Sequence, residues 1–147
     1  MFDYDDEIND YIKEMIYPEN LTFDPFVVAE NNGIDVEYVS FLDKPYGLYV
    51  PPINMKARIL ISSDLKYSNM RFFVCAHELY HSIEHKYLAA YYTSIPGGQD
   101  SLEREANSFG TNLMCFYYKE LFDTETISYV DVINYFEIPR EIYVHDY

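Results

Sequence analysis

Positive charge is scarce in this chain of 147 residues: 10 Lys and Arg stand against 25 Asp and Glu, a formal net charge of -15. A surface this acidic repels phosphate, which argues against direct nucleic-acid binding. Long apolar runs are also missing; none approaches the ~18 residues that a membrane helix needs. The N-terminus, MFDYDDEIND, lacks the basic stretch and apolar core of a secretory signal. Cysteine is rare: Cys75 and Cys115 are too few for a disulfide scaffold, and their apolar surroundings suit buried, reduced thiols. These absences leave a cytoplasmic protein with no membrane and no direct nucleic-acid partner as the expectation.

What is present is the material of a core. Apolar residues make up 49% of the chain and aromatics 18%, too many for a disordered acidic protein. The length suits one domain spanning residues 1–147, expected as a monomer. Ile8, Tyr11, Ile12, Met15 and Ile16 recur at helical spacing until Pro18, with acidic residues on the other face. A second helix is expected from Asp24-Pro25 to Asn32-Gly33, cap to stop. Between residues 34 and 66 the pattern changes to strands around Val36–Phe41, Leu48–Val50 and Ile59–Ile61. Pro51 and Pro52 cannot donate ladder hydrogen bonds and belong on an edge. The expectation is an α+β fold with a small antiparallel sheet of about three strands.

Helix returns at Ser68 or Asn69, with Phe72, Cys75, Ala76, Leu79 and Ile83 forming its apolar stripe. Residues 88 to 100 read as a loop, and another helix opens at Asp100 or Ser101, with Leu102, Ala106, Phe109, Leu113 and Phe116 on one side. A shorter helix around 125–136 and a last turn from Pro139 complete the chain.

The first of these two long helices carries His77-Glu78-Leu79-Tyr80-His81. Residues four apart share a helix face, so two imidazoles can aim at one point. Neutral imidazole suits zinc, which takes nitrogen ligands at ~2.0–2.1 Å in tetrahedral geometry. Glu78 projects beside that point, where it can take a proton from an activated water and pass it to a leaving amine. His85 is a poor third ligand: eight residues from His77 on a helix, its Cα lies about 12 Å away. It reads as a lone surface histidine.

A third ligand must come from another element, and the second long helix offers Glu103 and Glu105. On the helical wheel they flank the apolar stripe from opposite sides. Glu103 shares its side with Ala106, Asn107 and Gly110, small residues that admit a neighbouring helix; Glu105 lies beside Phe109 and Phe116. The wheel prefers Glu103 without excluding Glu105. Glu103 would also stand at N3 of a capping box if Asp100 were the cap.

With these residues in view, the chain resembles the ImmA/IrrE family of metallo-endopeptidases. The likeness rests on His77–His81, on the preceding Arg71-Phe72-Phe73-Val74-Cys75-Ala76, and on Glu103-Arg-Glu-Ala-Asn107-Ser-Phe109. It also covers Tyr46–Val50, Arg58–Ile61 and the tail Val132–Pro139, most of residues 25 to 140. The resemblance implies a zincin-like helical core, one zinc per chain held by His77, His81 and Glu103, and Glu78 as catalytic base. It implies a zinc-dependent endopeptidase that cleaves a co-encoded helix-turn-helix repressor of a prophage or mobile element. The chain departs from the family pattern at Tyr80, where glycine is usual, and at Gly110, where alanine is common. Tyr46, Tyr80, Tyr143 and His145 are candidate donors to an oxyanion, and residues 46–50 a candidate edge for an extended substrate. A module that binds a repressor without cutting it, with a retained or decayed zinc site, is the alternative.

Overall fold

The computed structural model of the chain describes residues 2–42, 46–87 and 98–145. Helix α1 (Phe2–Tyr11) passes into a π-helical turn over Ile12–Ile16 and then into the short α2 (Tyr17–Asn20). Ile8, Ile12 and Ile16 are buried, but Met15 is exposed. The expected stripe therefore loses Met15, because the wider i→i+5 turn keeps residues four apart in line and rotates Met15 outward. Pro18 does not stop the helix. It falls in the first turn of α2, directly after the π-helical turn.

Helix α3 (Pro25–Asn31) begins as expected: the Asp24 side chain caps it by accepting from the Phe26 N–H at 2.9 Å. Gly33, at φ 74°, turns the chain into strand β1 (Asp35–Val39). Strands β2 (Gly47–Val50) and β3 (Arg58–Ser62) follow, in the order β1-β3-β2. The sheet has the expected three strands but is mixed: β2 pairs antiparallel with β3, whereas β1 pairs parallel with it. Strand β2 starts at the end of the sheet where β1 finishes, so β1 and β2 run in opposite directions. The hairpin then inserts β3 between them, which makes β3 parallel to β1. Ile59 and Ile61, both fully buried, put the most apolar strand in the centre, and the prolines after β2 keep that strand on an edge.

Helix α4 (Met70–Tyr87) packs across the sheet and against α5 (Gly98–Phe122). Ser68 caps α4 by accepting from the Met70 N–H, and it donates in turn to Glu137 at 2.8 Å. Glu137 also accepts from the Asn69 N–H, which places a carboxylate at the positive end of the helix. Helix α5 starts at Gly98, ahead of the expected Asp100 or Ser101, so Glu103 lies inside the helix rather than at N3 of a capping box. Cys75, Ala76 and Leu79 of α4 meet Phe109, Leu113 and Met114 of α5 in the core. Fully burying such a side chain stabilises the fold by about 1.5–3 kcal/mol. Both cysteines are free thiols, Cys75 buried and Cys115 half-buried. Helices α6 (Tyr129–Tyr135) and α7 (Arg140–His145) close the chain; α6 starts four residues later than the expected 125.

Candidate metal centre

The pairing of α4 with α5 builds the site. Its closeness depends on Gly110, where a Cβ would stand 3.0 Å from Phe73 Cε1 and 3.6 Å from the His77 backbone nitrogen. This is the small-residue side of α5 that also carries Glu103. His77 and His81 lie one turn apart on α4, ring centroids 5.0 Å apart. Glu103 spans them: Oε2 is 3.1 Å from His77 Nε2, and Oε1 is 2.8 Å from His81 Nε2. One ligand atom from each of the three lies within 4.8 Å of the others.

This group could hold a metal. Donors ~2.0–2.1 Å from a tetrahedral ion stand about 3.3 Å from one another, close to the separations found here. The donor set suits the same conclusion, with two imidazoles and one carboxylate. Hydrogen bonds to His77 and His81 hold the Glu103 carboxyl well below the usual carboxylate range, so it is ionised at neutral pH, as a ligand must be. Burial disfavours the His81 imidazolium, yet the Glu103 hydrogen bond and the charges of Glu78, Glu103 and Glu84 raise its pKa overall. Metal uptake would therefore compete with a proton.

Glu78 lies beside this group and is only 7% exposed. Its Oε2 is 3.8 Å from His77 Nε2. Burial pushes its carboxyl pKa up and Glu103 pushes the same way; His77, His81 and a hydrogen bond from the Tyr49 backbone N–H act against them. The carboxyl thus sits above its ordinary range, as suits a group that takes and returns a proton.

These side chains line a cleft of about 620 Å³, bounded on one side by β2 and on another by α5. Tyr46, Gly47 and Tyr49 supply its strand wall, and Glu84 and Asn107 extend the helical walls. Of the candidate oxyanion donors, Tyr46 lines the cleft. Tyr80 does not: its hydroxyl donates to Glu105 at 2.7 Å and its ring packs on Phe109. The side chains of Tyr143, His145 and His85 lie outside the described residues. Glu105, the alternative to Glu103, is thus engaged away from the histidines.

The sequence marked Gly47 and Tyr49 only as part of the 46–50 substrate edge, and it did not mark Glu84 as a site residue. Glu84 carried a signal, since it stands seven residues after His77 on the same helix face. Tyr49 acts through its backbone, and Gly47 through a side chain it does not have.

Comparison with characterised proteins and with solved structures found no match. A family model does match, the peptidase M78 model described as the IrrE N-terminal-like domain, over residues 29–145. Those residues contain β1 to β3, the paired helices and every residue of the metal-holding group, and the chain belongs to this family of metallopeptidases.

Proposed function

We propose that this protein is a zinc-dependent endopeptidase whose residues 1–147 act as one domain in the cytoplasm. The observation that carries the reading is the convergence of His77, His81 and Glu103 beside the buried Glu78, next to the outer strand β2. His77, His81 and Glu103 would hold one zinc ion, which would supply Lewis acidity in the cleft.

The remaining work falls to the chain. Glu78 takes a proton from the attacking water as its oxygen bonds to the scissile carbonyl carbon. The same carboxyl then gives that proton to the amine nitrogen as the C–N bond breaks. An extended substrate pairs with the edge of β2 through main-chain hydrogen bonds. Tyr46, which lines the cleft, is a candidate donor to the oxyanion.

A peptidase acts on protein, and the acidic chain favours a basic partner such as a helix-turn-helix repressor of a mobile element. The test begins with metal content by mass spectrometry for the wild type, Glu103→Ala, Glu105→Ala and Glu78→Gln. One zinc per chain is expected, lost in Glu103→Ala alone. Incubation with a repressor encoded beside this protein should then give cleavage by the wild type and none by Glu78→Gln. Repressor binding without cleavage by zinc-loaded wild type would establish the binding module instead.

A further inference from the structure

Strand β2 does more than border the cleft. The Ser62 N–H donates to the Tyr46 C=O at 2.7 Å, and the β2–β3 register continues from that pair to Leu48↔Leu60 and Val50↔Arg58. In an antiparallel ladder, bonded and non-bonded pairs alternate. Residues 46, 48 and 50 therefore turn their backbone polar groups toward β3, while Gly47 and Tyr49 turn theirs toward the cleft.

Glu78 approaches that edge at two residues. The Tyr49 N–H, turned outward, lowers the pKa of the Glu78 carboxylate as a donor facing it does. At Gly47 there is no space for a side chain: a Cβ would fall 2.5 Å from Val74 Cγ1, 3.2 Å from Glu78 Cγ and 3.3 Å from Glu78 Oε2. The glutamate side chain thus occupies the volume that any other residue at 47 would need. Three rotatable bonds separate the Glu78 carboxylate from α4, and β2 meets it at Gly47.

Resting on the reading of Glu78 as the general base, we propose that β2 positions this base: the Tyr49 N–H holds its carboxylate and Gly47 leaves it room. The edge is thereby divided. A peptide anchors on the outward N–H and C=O of Gly47, then passes Glu78 where the next N–H is already engaged. Base and scissile bond are aligned by one strand.

Backbone amide exchange on the zinc-loaded full chain tests this without any turnover. The Tyr49 amide is expected to be protected in the wild type and to exchange about tenfold faster or more in Glu78→Ala, the effect of losing one charge-assisted bond. Leu48 and Val50, whose N–H groups face β3, should not change. Equal protection of Tyr49 in both proteins overturns the proposal.

A second comparison separates the N–H from the ring. Tyr49→Ala keeps the N–H, whereas Tyr49→Pro removes it, and an outward N–H can be lost without cost to the ladder. Relative to Tyr49→Ala, Tyr49→Pro should lower kcat about tenfold with KM and zinc content unchanged. Equal kcat values overturn the proposal. Absence of cleavage by the wild type would sink the peptidase reading, and amide exchange would still decide what holds Glu78.

Discussion

The Tyr80 hydroxyl donates a 2.7 Å hydrogen bond to Glu105 and so ties α4 to α5 one residue away from His81. A tyrosine at this position neither crowds the helix pair nor enters the cleft. It packs on Phe109 and occupies the carboxylate that would otherwise rival Glu103. Tyr80→Phe keeps the ring contact and loses only the bond. It should cost about 1.5–3 kcal/mol in urea unfolding, the range for a bond to a charged acceptor, with zinc content unchanged.

Gly110 sets how near α5 comes to His77. Gly110→Val places methyl groups against Phe73 and the His77 backbone, which the packed helix pair must move apart to admit. The expected cost is about 1–3 kcal/mol of stability. Because Glu103 rides on the displaced helix, zinc affinity should fall as well, by about tenfold or more, the scale seen when a ligand's support is lost. Zinc competition with a chromophoric chelator reads the second effect separately.

Metal removal should destabilise the fold. A ligand at 100 times its dissociation constant stabilises the state that binds it by about 2.7 kcal/mol. The melting temperature is therefore expected to drop after treatment with a chelator and to return on adding zinc. In Glu103→Ala the melting temperature should not respond to either step.

The two thiols differ in burial but share a direction. Burial pushes the Cys115 pKa up to about 11 and that of Cys75 well above its ordinary value. A raised thiol pKa favours the neutral form, so at pH 8 only about one Cys115 in a thousand is thiolate. Ellman's reagent should label neither cysteine in the native protein within minutes at pH 8, and both after unfolding. Rapid native labelling of Cys115 would contradict the burial found here.

Much of the site was legible because helical spacing is regular. His77, Glu78 and His81 follow from a short motif on a helix with a clear apolar stripe. The choice of Glu103 over Glu105 followed from which side of α5 carries Ala106, Asn107 and Gly110, and the short contact at Gly110 shows why that side matters. Other features depended on information that periodicity does not contain. The exposure of Met15 follows from one wide turn, and the direction of β1 from the end of the sheet at which a connection returns. The room that Gly47 leaves for Glu78 was hidden for a different reason. A missing side chain leaves no pattern, and its meaning appears only when a second element fills the gap.

The histidines and Glu103 come from helices that are neighbours in the chain; His77 and Glu103 are 26 positions apart. The parallel pairing of β1 with β3 closes a span of similar length, Asp35 to Arg58, so loop closure gives neither half of the site a lead in folding. Helix pair and sheet can thus form side by side, and the cleft is complete only when the two meet. Because all three metal-holding residues lie on the helix pair, the capacity to capture an ion depends on that pair alone, whereas the wall of the cleft needs the sheet as well.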